Sequence, residues 1–166
     1  AKPKHHTALS YGELPAIMAA LREKEHVSAL CLRFTILTAA RSGEARGAMW
    51  NEIDEARKTW TVPADRMKAG REHKVPLCDE ALALLKVMRQ RQNDARHVVT
   101  KLDRLATCAH VFPGLRGGLL SDVAVTKTLR AVAPGVTVHG FRSSFRQWGA
   151  ETTSFPSNVL ELALAH

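Results

Sequence analysis

The sequence predicts a mainly α domain interrupted by a small three-stranded antiparallel β-meander. Apolar residues recur at helical spacing near the N-terminus and again through the second half of the chain. Between them lie three short pieces, "MWNEID", "TWTVP" and "HKVPL", rich in aromatic and β-branched residues and separated by polar turns. At 166 residues and 45% hydrophobic content, the chain can bury one real core. No repeat or low-complexity segment divides it.

Residues 1–8 read as the end of a linker, and 9–166 as one domain. "SYGELPAIMAALREKE" opens with Ser10 and Glu13 at capping-box spacing, and Leu14, Ile17, Met18 and Leu21 form one apolar face. A second helix is expected from about Val27 to Thr38, and a short third one from Ser42, a cap residue with Glu44 in the first turn. The three strand-like pieces follow, joined by "EARK" and by the basic stretch "ADRMKAGRE". "CDEALALLKVMRQRQ" is helical with Asp79 as its expected cap. "HVFPGLRGG" is a loop, and Ser121 opens the helix "SDVAVTKTLRAV". In "HGFRSSFRQWGAE", Phe141, Phe145 and Trp148 at i, i+4 and i+7 predict an inward face, and His139 neighbours Arg142. A final helix, "VLELALAH", ends on His166.

Composition narrows the function classes. No stretch approaches the roughly 20 apolar residues of a membrane span, and the N-terminus has no signal-peptide apolar region. Cys31, Cys78 and Cys108 are widely spaced with no CxxC pair, so a zinc site or disulfide framework is not expected and a cytoplasmic setting fits. Lys and Arg number 24 against 16 acids, a net charge of +8 that suits a polyanion such as nucleic acid. Aromatics are only 5%, which favours backbone contact to a duplex over stacking on single-stranded bases.

Two basic blocks stand out, around Arg41 and around His139 and Arg142, with a basic hairpin between them. Arg41 follows the apolar run "ALCLRFTILTAA", where a guanidinium is costly unless paired or facing an anion. Singly, each residue has an ordinary reading: a salt-bridged Arg41, a solvated Lys68, a His139 that caps a helix.

In order, "TAARSGEARGAMWNEID", "RMKAGREHKVPL", "HGFRSSFRQW" and "ELALAH" resemble the catalytic domain of a tyrosine recombinase of the phage or genomic-island integrase type. The resemblance implies that fold, and duplex DNA as partner. It implies attack by a tyrosine on a phosphodiester, giving a 3′-phosphotyrosyl link and a free 5′-hydroxyl without a metal or cofactor. By the match, Arg41 and Arg142 clamp the phosphate, and Glu44 orients Arg41. Lys68 protonates the leaving 5′-oxygen, with crowding by Arg66 and Arg71 as one source of a lowered pKa. His139 acts on the phosphate or the nucleophile's proton, and His166 donates to the same phosphate. Arg66, Arg71, His73 and Lys74 are expected to contact the DNA backbone.

The resemblance also implies a nucleophile roughly nine residues beyond His166, whereas the only tyrosine is Tyr11, read as a packing residue. The chain is therefore expected to be a catalytic-domain piece ending before the tyrosine helix, monomeric alone, from a protein acting as a tetramer on DNA in a bacterial cytoplasm, at the nucleoid. A catalytically inactive DNA-binding relic or regulator is the alternative. A basic helical protein-interaction module is a third reading, distinguished by insensitivity to salt.

Overall fold

The computed structural model describes residues 9–97 and 108–165; the expected linker 1–8 and His166 lie outside them. In order, the elements are α1 (Leu14–Arg22), α2 (Val27–Thr38), α3 (Ser42–Arg46), β1 (Ile53–Asp54), β2 (Thr59–Val62), β3 (His73–Pro76), α4 (Asp79–His97), α5 (Asp122–Val132), α6 (Gly140–Thr152) and α7 (Ser157–Ala163). The three strands form one antiparallel sheet in the order β1-β2-β3, as the sequence predicts.

Helix α2 is the axis of the fold, packing on α1, α3, α4 and α5. It is buried nearly all round, through Ala29, Leu30, Cys31, Leu32 and Phe34, as a central helix must be. Its buried threonines satisfy their hydroxyls within the helix, Thr35 on the Cys31 carbonyl (2.8 Å) and Thr38 on that of Phe34 (2.7 Å). The sheet closes one side of this helix. Alternation in β2 turns Trp60 and Val62 inward, and Trp60 pairs in register with Val75. Phe34 then stacks between Trp60 and Phe112, with ring centroids 5.2 and 5.3 Å apart.

Several boundaries differ from the sequence reading, each for a local reason. Only Ile53–Asp54 of "MWNEID" is strand, because Glu52 Oε2 accepts the Met49 N–H (3.1 Å) and closes a 3₁₀ turn over Trp50–Glu52. Arg41, not Ser42, is the cap of α3. Asp79 lies inside the first turn of α4, where its carboxylate takes Lys58 (2.8 Å) instead of the helix end. Helix α7 begins at Ser157, before Val159. On α6 the buried residues are Phe141, Arg142, Ser144 and Gly149, while Trp148 is 42% exposed. That face is rotated because Leu160 of α7 sits directly on Gly149 and the Ser144 hydroxyl reaches the Leu9 carbonyl (2.6 Å).

Candidate active site

The C-terminus of α2 explains the first arginine. Helix α2 stops where Ala39 takes a left-handed conformation (φ 50°), and two residues later Arg41 caps α3 in extended geometry. Glu44 holds Arg41 twice: Oε2 accepts its backbone N–H (3.0 Å) and Oε1 accepts Nη1 (2.8 Å). The Glu44 side chain is 6% exposed and that of Arg41 25%, so the carboxylate is the fixed support and the guanidinium the presented group. Such an ion-paired, charge-assisted contact fixes direction as well as energy.

Arg142 reaches the same place from α6. It is 4% exposed, and Nη1 donates to the Ala39 carbonyl (2.7 Å) while Nη2 donates to the Leu164 carbonyl. Those two residues terminate α2 and α7, respectively. Helix C-termini offer unpaired carbonyls and a negative dipole end, so one guanidinium caps two helices and is tolerated inside the protein. Burial holds the Arg142 pKa below the usual arginine range, and the charge of Arg41 acts in the same direction, against Glu44 and Glu161. Two like charges have thus been brought into one electrostatic neighbourhood by α2, α3 and α6.

The hairpin residues divide. Lys68 and Arg71 are exposed in the connection from β2 to β3, and Lys74 is exposed on β3. His73 is half-buried at the start of β3 and lines the clefts between that strand and α7, facing Leu162. Arg66 does not join the exposed cations. Its guanidinium turns inward, Nη2 to Glu52 Oε2 (2.5 Å) and Nη1 to the Glu44 carbonyl (3.2 Å). Arg66 is thus tied into the fold by Glu52 and the Glu44 carbonyl while its side chain stays 25% exposed.

His139 precedes α6, exposed, with no side-chain capping bond. It lines a cleft with Ser42, the neighbour of Arg41, and with Arg130. His166 lies outside the described residues. Tyr11 sits elsewhere, in a groove with Met18, Arg22, Glu80 and Trp148, and Glu151 raises its pKa. None of the described residues expected at the site lines that groove.

Sequence reasoning missed three supports. Glu52 collects Met49 N–H, Trp60 Nε1 (3.0 Å) and Arg66 on one oxygen, and its capping-box spacing to Met49 was the available signal. Arg46 fastens α3 to α5 through the Leu120 carbonyl (2.8 Å) and Asp122 (3.5 Å). The carbonyls of Ala39 and Leu164 leave no mark in a sequence. Cys31 is buried, which pushes its thiol up to about 12. Among the described residues, no helix is long and apolar enough to cross a membrane.

The model of the phage integrase family matches residues 8–166. The chain is similar to the prophage integrase IntA of Escherichia coli (strain K12), 33% identical over 159 residues, 93% of this chain and 35% of that protein. It is also similar to the integrase of Enterobacteria phage P4, 28% identical over 185 residues, 99% of this chain and 39% of that protein. The chain spans little more than a third of the length of these relatives. Among solved structures it is similar to the Tn1549 transposon integrase in complex with circular intermediate DNA. There the TM-score is 0.73 at 12% identity, covering 99% of this chain and 59% of that one. For the XerA recombinase the TM-score is 0.69 at 15% identity, covering 100% and 57%. These likenesses show the fold alone.

Proposed function

The chain belongs to the phage integrase family, and from that premise we propose that it is the catalytic part of a site-specific DNA recombinase of a phage or mobile element. The observation that carries the proposal is the pair Arg41 and Arg142, the first fixed by the Glu44 carboxylate and the second by the carbonyl of Ala39, two residues before Arg41. Glu44 offsets part of the repulsion between the two guanidiniums, and a phosphodiester is an anion that their bidentate forks fit.

In the proposed reaction a tyrosine of the complete protein attacks the phosphorus and gives its hydroxyl proton to His139 or to water, the bond to the 5′-oxygen breaks, and Lys68 gives its proton to that oxygen. Charge building on the nonbridging oxygens is stabilised by Arg41 and Arg142 and, from the cleft beside Ser42, by His139. Glu44 keeps Arg41 aimed. The exposed Arg71 and Lys74, and His73, contact neighbouring backbone phosphates. His166 is proposed as a further donor, and Tyr11 is not the nucleophile. The relatives are a prophage integrase, a phage integrase and a transposon integrase bound to DNA, which favours double-stranded DNA as partner, a tetramer of complete protein on paired sites, and action at the bacterial nucleoid. The isolated chain is proposed to be monomeric.

The test is anisotropy of a labelled duplex from the element's end across a salt series, with strand cleavage by the complete protein. Arg41→Ala and Arg142→Lys should abolish covalent protein–DNA adduct, and the parent's affinity should fall steeply with salt. Salt-independent binding together with intact cleavage in both variants would refute the proposal.

A further inference from the structure

Arg66 is the basic residue of the hairpin that is ion-paired into the body of the fold, and its partners link the two halves of the site. It ends a 3₁₀ turn over Ala64–Arg66, buried Met67 follows, and exposed Lys68 comes next. One arm of its guanidinium is paired with Glu52, whose side chain is only 10% exposed. The other arm donates to the main-chain carbonyl of Glu44, the same residue whose carboxylate holds Arg41. Glu44 is therefore the shared support of Arg41 and of the base of the Lys68 hairpin. Space has also been left for this arm: a Cβ at Gly47 would collide with Arg66 Nη1 and come within 3.2 Å of the Gly43 carbonyl.

We propose that Arg66 is a positioning residue for Lys68, locking the hairpin that carries it to the α3 turn that aims Arg41. The inference rests on the reading of Lys68 as the group that protonates the 5′-leaving oxygen. An exposed lysine on a ten-residue connection between β2 and β3 has many conformations, and general acid catalysis needs its ammonium within hydrogen-bond reach of one oxygen. Pinning the chain two residues before Lys68 removes most of that freedom at the point where it matters. Arginine suits the position because its planar fork reaches two acceptors in different directions from separate nitrogens, whereas a lysine would have to serve both from one atom.

The experiment compares single-turnover strand cleavage by the complete protein on two DNA substrates. One carries the ordinary scissile phosphodiester, and the other has sulfur in place of its bridging 5′-oxygen. A thiolate leaves without protonation, so the sulfur substrate does not need the general acid or its positioning. Arg66→Ala is expected to slow the oxygen substrate about 100-fold, the size of loss that a misplaced group produces. It should leave duplex affinity unchanged and cleave the sulfur substrate at the parent's rate. Lys68→Ala should give the same pattern. Gly47→Ala, which keeps Arg66 but displaces its guanidinium, should give a weaker form of it, as should Arg66→Lys. Should Arg66→Ala fail to fold, those last two variants carry the test. Equal slowing of both substrates, or of neither, while Lys68→Ala is rescued by sulfur would overturn the positioning role alone. Failure of sulfur to rescue Lys68→Ala would overturn the general-acid reading, and the proposal with it.

Discussion

Glu44→Gln isolates the support under Arg41. The amide is nearly isosteric, and its oxygen can still accept the Arg41 backbone N–H, now 3.0 Å from Oε2. Its nitrogen would face Arg41 Nη1, which donates to Oε1 at 2.8 Å, so a charge-assisted bond becomes donor against donor. The site is 6% exposed on the glutamate side, leaving little room for water to repair the loss. A hydrogen bond to a charged group contributes about 1.5–3 kcal/mol net. Because Arg41 is 25% exposed and can turn outward, the cost should fall within that range rather than at the 3–5 kcal/mol of a fully buried broken pair. For a domain of this size that corresponds to about 3–12 °C in Tm. Thermal melts by circular dichroism at neutral pH measure it. A cycle with Arg41→Ala should return coupling of at least about 1 kcal/mol. The variant also leaves Arg41 and Arg142 without Glu44's charge, so added sulfate should raise its Tm more than the parent's. A Tm change below about 1 °C, or no coupling in the cycle, would refute the reasoning.

Phe34→Ala removes a fully buried ring between Trp60 and Phe112, and urea denaturation should show a loss of about 3–5 kcal/mol. Burial raises the Glu80 pKa, but hydrogen bonds and charges from Arg22 and Arg33 outweigh it and hold the carboxyl below the usual glutamate range. Its folded pKa lies below the unfolded one, so its stability contribution is present above the ordinary glutamate pKa and is lost as pH falls through the folded value. Glu80→Gln should therefore flatten the acid limb of stability against pH, read by urea midpoints from neutral to acid. Gly149→Val would force side-chain atoms onto Leu160, whose Cδ1 lies 3.0 Å from even a Cβ there. Overpacking of about 1–3 kcal/mol should loosen α7, seen as faster amide exchange over Ser157–Ala163.

What was readable in the sequence was whatever local chemistry decides. The Ser10–Glu13 capping box, α2 from Val27 to Thr38, the three-stranded meander and the Ser121 cap all follow from spacing and residue type. The residue types of the site were legible through a family resemblance, and the Arg41–Glu44 contact through an i,i+3 spacing. The direction of Arg66 was not, because a cation in a turn reads as solvated unless its acceptor is known, and Glu52 lies on the far side of the sheet's first turn. Trp148 misled for a related reason: spacing places it one face along from the side that α7 covers. Where a partner lies across the fold, periodicity along one helix cannot say which way a side chain turns.

The anchors of Arg142 have a genetic consequence. Two of its acceptors are main-chain carbonyls, at Ala39 and Leu164, which exist whatever side chains those positions carry. Ala39 is limited to residues that tolerate a left-handed backbone, and the position of Leu164 only by packing. A lineage can thus drift at both sites without loosening the arginine, and no compensating exchange will ever link them to it. Contact inference from co-varying positions can register the side-chain pair Arg41 and Glu44, and passes over these two main-chain moorings of Arg142. The more deeply buried of the two cations is thus moored in part where an alignment cannot see.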